Sequence, residues 1–304
     1  MARHASPLQS LLVDDRLDAD VYPNEPMARH TTLRIGGPAR FYVRAGSVSA
    51  LSAVVSLCTR EGIPWTVVGR GSNLLVADEG FSGVVISLGR DFRSIQVDED
   101  DCSIVAGGGA LLSAVVQETF RRNWQGLEFA VGTPGTVGGA VAMNAGTREE
   151  WMSSAVRSVT VMDAEGHLGK LPGSAIAWGY RTSGISGVVV ECELQAHQCD
   201  PFYIRGKMEA ALARRQQSQP LGQMCCGSVF KNPEGASAAQ LIEGLGLKGV
   251  ACGDAQVSDK HANFIVNNGA ATAADMASLM RDIQQKVREA HGIELAPEVR
   301  FLGF

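Results

Sequence analysis

The sequence predicts an α+β protein whose strands and helices alternate irregularly, unlike a doubly wound sheet. Three observations carry that expectation. Short apolar runs such as Trp65-Thr66-Val67-Val68 and Val84-Val85-Ile86-Ser87-Leu88 have the character of buried strands. Stretches of helical periodicity separate them at uneven intervals. Glycine is in excess, 35 of 304 residues against average usage of about 7%, and it clusters in loops. A chain of 304 residues exceeds what one hydrophobic core holds, so two or three domains are expected.

Taken in order, residues 1–23 carry Asp14, Asp15, Asp18 and Asp20 among few large apolar groups. They are expected to form an N-terminal arm or a short helix. Leu33-Arg34-Ile35 is expected as a strand ending in the turn Gly36-Gly37-Pro38, and Phe41-Tyr42-Val43-Arg44 resumes a strand. Ser47 caps a helix with the apolar face Leu51, Val54, Val55 and Cys58 and with Gly62 as its stop. Strands follow at 65–68, 84–88 and 103–106, the last ending in Gly107-Gly108-Gly109, and a helix at 111–122. The middle third is strand-rich, at 156–162, 187–190 and 192–194. Composition shifts at Asp200-Pro201, where a helix with Met208, Leu212 and Arg215 opens a C-terminal unit. Thr272 and Asp275 form a capping box for the last helix, which presents Met276, Leu279, Ile283 and Val287 and ends at Gly292. The expected plan is therefore an N-terminal arm at 1–23 and a separate C-terminal unit from Pro201 onward.

A net charge of −5 and the lack of basic runs beyond Arg121-Arg122 and Arg214-Arg215 argue against a nucleic-acid partner. Seven cysteines without a Cys-x-x-Cys pair argue against a disulfide framework and for a reducing compartment. The six histidines form no ligand spacing, so no metal is expected. No apolar run reaches the ~18 residues of a membrane span, and the N-terminus lacks signal-peptide character. A cytoplasmic protein without membrane insertion is expected.

Three stretches could carry chemistry. Gly69-Arg70-Gly71-Ser72-Asn73 directly follows a strand, and its glycines let backbone N–H groups converge on an anion. It is neither a Rossmann fingerprint, having Leu74 where a third glycine would stand, nor a Walker loop, having no following lysine. Taken alone, such a glycine pair is usually a turn. Gly132-Thr133-Pro134-Gly135-Thr136-Val137-Gly138-Gly139-Ala140 opens into Val141-Ala142-Met143-Asn144-Ala145-Gly146. Small residues bury little area, so this run suits a flat or phosphate-bearing ligand, above all if Gly138-Gly139 begins a helix with N–H groups facing a pyrophosphate. Tight helix–sheet packing is the alternative. Gly227-Ser228-Val229-Phe230-Lys231-Asn232-Pro233 sets a hydroxyl, a cation and an amide between a glycine and a proline. Arg181 in Tyr180-Arg181-Thr182-Ser183 and Glu298 in Pro297-Glu298-Val299-Arg300 are each the kind of residue that normally lies on a surface.

In this order, together with His30-Thr31-Thr32-Leu33-Arg34-Ile35-Gly36-Gly37-Pro38-Ala39, these segments resemble the UDP-N-acetylenolpyruvoylglucosamine reductases (MurB; UDP-N-acetylmuramate dehydrogenases). The resemblance runs from about Asn24 to Gly303. It implies an FAD-binding region of the p-cresol methylhydroxylase/vanillyl-alcohol oxidase type, at 24–200 in two lobes split near 90–100, and a substrate-binding domain at 201–304. FAD would be held by Gly69, Arg70, Gly71, Ser72, Asn73 and Leu74 and by Gly132, Thr133, Pro134, Gly135, Thr136, Gly138, Gly139 and Ala140.

The implied reaction is a step of peptidoglycan precursor synthesis. NADPH gives a hydride to FAD, the hydride passes to C3 of UDP-N-acetylglucosamine enolpyruvate, and a proton reaches C2 to give UDP-N-acetylmuramate. By the family match, Ser228 protonates C2, while Arg181 and Glu298 polarise the neighbouring carboxylate. A serine hydroxyl is a weak acid and suits this step because the C2 carbanion is strongly basic. Arginine fits through charge-assisted bonds, and glutamate fits as a protonated donor or by steadying its neighbours. Arg215, Lys231 and Asn232 are the candidates for the UDP-sugar diphosphate.

The short interval between Arg181 and Ser228 leaves no room for the tyrosine-bearing insertion of the longer family type, so the chain resembles the shorter one. Gln223-Met224-Cys225-Cys226 lacks the family's usual proline, and the stretch 147–151 is likewise unusual. Cys226 adjoins the serine loop, where a buried packing role is expected. Two rival readings remain open: another FAD-dependent oxidase or dehydrogenase of the same fold, and a UDP-sugar-binding flavoprotein without catalysis.

Overall fold

The Ser47 Oγ accepts the Ala50 N–H at 3.3 Å, giving the first long helix the cap its sequence calls for. The computed structural model describes residues 7–12, 14, 16–147 and 149–304. Of the arm expected over 1–23, residues 1–6, 13 and 15 lie outside the described residues, as does Arg148 in the unusual stretch 147–151. Helix α1 (Pro7–Leu12) buries Leu8 and Leu12, and the strand Ala19–Pro26 follows. The chain divides into two compact units built from separated segments. One comprises the residues up to Pro23 with Phe41–Gly69 and Gly83–Leu212; the other comprises Asn24–Arg40, Arg70–Ser82 and Ala213–Phe304.

A four-stranded sheet has the order Ala19–Pro26, Pro38–Ala45, Phe81–Leu88, Trp65–Val67. Its last pair is parallel, with Trp65 opposite Val84. Helix α2 (Val48–Arg60) buries Leu51, Val54, Val55 and Cys58 in one core with Val43, Val84 and Ile86, the face its 3.6-residue period marks. Gly62, left-handed at φ 63°, follows its end.

A five-stranded antiparallel sheet completes the first unit, in the order Leu168–Pro172, Val156–Met162, Val188–Gln195, Ser103–Gly107, Ile95–Asp98. The two runs expected at 187–190 and 192–194 form one strand, because a register shift between Val189 and Glu191 absorbs the break in alternation. Helices α3 (Leu112–Arg121) and α4 (Val137–Ala142) share a core with Ile104, Val159 and Cys192. Helix α5 (Pro201–Ser218) buries Ile204, while Leu212 stays exposed.

In the second unit an antiparallel sheet has the order Met224–Ser228, Phe264–Asn267, Ala255–Val257, Ala251–Cys252. Helices α6 (Ala238–Gly244) and α7 (Ala273–His291) contribute to its core. The expected capping box forms: Thr272 Oγ1 accepts the Asp275 N–H at 3.0 Å, and Asp275 Oδ2 accepts the Thr272 N–H at 2.9 Å. The Asp78 carboxylate accepts the next two N–H groups, from Ala273 at 2.8 Å and Ala274 at 2.9 Å. The strand Arg300–Leu302 pairs in parallel with Leu74–Val76, so the end of the chain lies beside a segment from its first third.

Leu33-Arg34-Ile35 is not a strand. Arg34 is left-handed at φ 54° and Gly36 sits at φ 136°, and the coil still drives Leu33 and Ile35 into the core with Phe230 and Leu295. Alternation marked which side chains are buried, a demand that a coil meets as well as a strand does. No helix among the described residues is long and apolar enough to cross a membrane.

Candidate functional site

Where Gly69 ends its strand, a side chain would be stopped by Thr136: a Cβ would lie 2.6 Å from Thr136 Oγ1. Thr136 is the N-cap of α4, and the same oxygen accepts the Gly139 N–H at 3.3 Å. Residues far apart in sequence thus bring the start of the first glycine loop against the second. A helix does begin here, at Val137, but the amides expected to face a pyrophosphate have partners within the protein. The Val137 N–H donates to Ala110 O and the Gly138 N–H to Gly108 O, each at 2.9 Å, and the Thr133 N–H donates to Ala130 O at 3.0 Å. A Cβ on Gly138 would lie 2.9 Å from that Gly108 carbonyl, so this glycine serves close packing against the turn after Ser103–Gly107. Gly69, Gly132 and Gly139 are exposed and carry no side chain. A flat, phosphate-bearing group fits such a ridge.

Arg181 lies in a hairpin tied to the far end of α4. The Ser183 N–H and Oγ donate to Ala142 O at 3.1 and 3.2 Å. Asn144 Nδ2 donates to Gly179 O at 3.1 Å while its Oδ1 accepts the Ser153 N–H at 3.0 Å. Gly179 and Thr182 pair across the turn, and Arg181 at its tip is left-handed at φ 59°. A non-glycine residue in that region is uncommon and is often held at a functional site. Its guanidinium carbon lies 5.1 Å from the Tyr180 ring centroid, within cation–π range.

The second unit joins Ser228 and Glu298, which the sequence leaves apart. Ser228 ends the edge strand Met224–Ser228, opposite Phe264. The Glu298 N–H donates to Val229 O at 2.8 Å, the Lys231 N–H donates to Ala296 O at 2.8 Å, and Phe230 bridges to Pro297. Ser228 and Glu298 therefore sit on adjoining segments, both half-buried. Asn73 joins them: its Nδ2 donates to Glu298 O at 3.0 Å and its carbonyl accepts the Arg300 N–H at 3.1 Å. Gly71 is left-handed at φ 61° and would strike the His30 carbonyl if it carried a Cβ. Arg70 is exposed, Ser72 half-buried, and Leu74 begins its strand. Asn232 Oδ1 accepts the Ala238 N–H at 3.0 Å, so this residue also holds the start of α6. Lys231 is half-buried, and Arg215 lies near the end of α5, also half-buried.

Cys226 is buried beside Val229 and Phe230. Burial foremost, then neighbouring Cys225, pushes its thiol up to about 12. A protonated thiol in a core is a packing residue and a poor nucleophile.

Sequence reasoning missed Asn263 and Asn144. Asn263 Oδ1 accepts the Phe230 N–H at 3.0 Å, its Nδ2 donates to Phe230 O at 2.8 Å, and its own carbonyl accepts the Val229 N–H at 2.9 Å. The signal available was an asparagine bordering the apolar run Phe264-Ile265-Val266, since a buried amide in such company must satisfy backbone groups.

Residues 39–171 match the family model described as an FAD binding domain, and residues 219–302 match the C-terminal domain of UDP-N-acetylenolpyruvoylglucosamine reductase. A reductase of that name from Heliobacterium modesticaldum is 47% identical over 283 residues, covering 92% of this chain and 90% of the relative. One from Bacillus velezensis is 38% identical, covering 95% and 96%. The crystal structure of the reductase from Thermus caldophilus superposes with a TM-score of 0.82 at 35% identity, over 93% of this chain and 98% of that one. A glucose dehydrogenase, Phl p 4.0202, shares the fold of 64% of this chain at 18% identity and a TM-score of 0.51. The α+β plan, with an FAD-binding region of the p-cresol methylhydroxylase/vanillyl-alcohol oxidase type and a distinct C-terminal domain, is thus the fold of this protein. With its identity to these oxidoreductases extending over more than nine-tenths of its length, the chain belongs to the UDP-N-acetylenolpyruvoylglucosamine reductase family.

Proposed function

We propose that this protein reduces UDP-N-acetylglucosamine enolpyruvate to UDP-N-acetylmuramate with NADPH, through bound FAD, as a cytoplasmic step of peptidoglycan precursor synthesis. The observation that carries the proposal is the bond from the Glu298 N–H to Val229 O at 2.8 Å. It holds the segment that bears Glu298 against the end of the strand that bears Ser228, and family membership supplies the reaction.

FAD is assigned to the region 24–200 and the UDP-sugar to 201–304. The residues proposed to hold FAD are Gly69, Arg70, Gly71, Ser72, Asn73 and Leu74, with Gly132, Thr133, Pro134, Gly135, Thr136, Gly138, Gly139 and Ala140. The exposed backbone where Gly69 meets Thr136 fits a flat, phosphate-bearing cofactor, with Gly138 and Thr136 shaping the ridge from beneath. When bound, FAD supplies to C3 a hydride that originates in NADPH.

The protein's own residues handle the charge and the proton. The C2 position becomes carbanionic, its charge shared with the adjoining carboxylate. Arg181 pairs with that carboxylate and stabilises the developing negative charge. Glu298 acts on the same group, either as a hydrogen-bond donor or by steadying the neighbours that do. Ser228 gives its hydroxyl proton to C2, an uphill transfer for a weak acid that the basicity of the carbanion makes feasible. Arg215, Lys231 and Asn232 contact the diphosphate.

The test is an anaerobic spectral titration of the purified, FAD-reconstituted protein. NADPH bleaches the flavin band, and UDP-N-acetylglucosamine enolpyruvate restores it. Bleaching without recovery would refute the substrate assignment. Absence of a flavin band after reconstitution would refute the whole proposal.

A further inference from the structure

Resting on the reading of Ser228 as proton donor, we propose that Thr32 is a positioning residue that fixes the β-bulge aiming the Ser228 hydroxyl. Met224–Ser228 is the edge strand of its sheet, with a strand neighbour on one side. Its register against Phe264–Asn267 breaks within the strand. Cys225 lies opposite Val266, while Ser228 lies opposite Phe264, so the edge strand spends one more residue than its partner between the two pairs. Gly227, left-handed at φ 78°, sits inside the interval. A bulge of this kind bends the strand and turns the following side chain away from where a regular ladder would point it. The direction of the Ser228 Oγ is therefore set by a place where the ladder is weakest.

Thr32 braces that place. Its Oγ1 donates to Cys225 O at 2.6 Å, immediately before the irregularity. The hydroxyl has one proton, and Gly71 O lies farther from it, at 3.4 Å, so the bond to Cys225 is the stronger. Thr32 is anchored in turn: its N–H donates to Gly71 O at 3.2 Å, and Thr31 Oγ1 closes the neighbouring turn on Ile35 O at 2.9 Å. The hydroxyl thus connects a segment near residue 30 to a strand almost two hundred positions later, just ahead of the serine.

The Thr32→Val and Thr32→Ser variants test this in the full chain loaded with FAD. Valine keeps the shape and removes the donor; serine keeps the donor. Three quantities are read anaerobically: flavin affinity, the rate of bleaching by NADPH, and the rate of recovery on adding UDP-N-acetylglucosamine enolpyruvate. Thr32→Val is expected to slow recovery about tenfold or more, since small misplacement of a reacting group has effects of that order. Bleaching and flavin affinity stay near wild type, and Thr32→Ser restores recovery. Wild-type recovery in Thr32→Val overturns the proposal. So does a parallel loss of all three quantities, which would place Thr32 in service of the glycine loop at large. If Thr32→Val does not fold, Gly227→Ala decides. A Cβ there meets nothing within 4 Å, so it acts through backbone conformation alone, and slowed recovery supports the proposal while unchanged recovery overturns it. Failure of the wild-type protein to bleach or recover would instead strike the proposed function.

Discussion

The side-chain amide of Asn73 donates to the backbone carbonyl of Glu298 at 3.0 Å, across 225 positions of sequence. A residue from the first glycine loop thereby holds the segment bearing a proposed catalytic carboxyl group. Asn73→Asp keeps the shape but turns a carboxylate oxygen toward that carbonyl. It is expected to destabilise the protein by about 1–3 kcal/mol, as loss of a bond to a partly buried acceptor does. The urea midpoint, compared with wild type at constant slope, checks this.

Ser228→Ala removes the proposed proton donor and little else. Recovery of the flavin band by the enolpyruvyl sugar is expected to slow by about 10²-fold or more, the usual weight of a general acid, with bleaching by NADPH intact. Stopped-flow absorbance separates the two steps. An unchanged recovery rate would remove Ser228 from the mechanism.

Gly69→Ala places a methyl group 2.6 Å from Thr136 Oγ1. The strain is expected to be about 1–3 kcal/mol, the range for overpacking, and flavin affinity should fall with it. Thr136→Ala removes the obstructing oxygen and the α4 cap together, at about 1 kcal/mol for the cap. The double variant should therefore be less destabilised than the sum of the two single changes. Additivity in a double-mutant cycle would show that these residues do not touch.

Asn263→Ala strips both polar partners from the buried Phe230 backbone. Two buried groups left unsatisfied, at about 1–3 kcal/mol each, should lower the urea midpoint markedly. Because Phe230 lies two residues from Ser228, recovery of the flavin band should slow in whatever fraction remains folded.

Stability should fall at alkaline pH. Burial pushes the Cys58 thiol up to about 11 and the Cys226 thiol up to about 12, from an ordinary 9.0, and raises Cys192 as well. Above pH 9 the unfolded chain releases these protons while the folded chain keeps them, so unfolding gains on folding. The contribution is complete below pH 9 and is lost as pH rises through the folded values. Urea midpoints measured from pH 8 to 10.5 should decline, less steeply in Cys226→Ala.

Much of this was legible in the residues because the signals are local. The helices Val48–Arg60 and Ala273–His291 have caps, faces and stops within a few turns of one another, and a helix is satisfied by its own neighbours. The ordered motifs from His30 to Arg300 led to the family in the same way, each being a contiguous run of residue types. Leu33 to Ile35 was misread as a strand because burial pattern constrains side chains, while φ at Arg34 and Gly36 is set by what the coil packs against.

By itself, then, the sequence determined the family, the well-capped helices and the residue types available for chemistry. Tertiary structure decided which of those residues meet. It laid Glu298 beside the end of the serine strand, packed Gly138 against the Gly108 carbonyl, and recruited Asn263 and Thr32 as braces. The physical reason is that each of these outcomes depends on hydrogen bonds between segments distant in sequence. Spacing along the chain does not encode which donor finds which acceptor, and the parallel pairing of Arg300–Leu302 with Leu74–Val76 exists once the chain has folded.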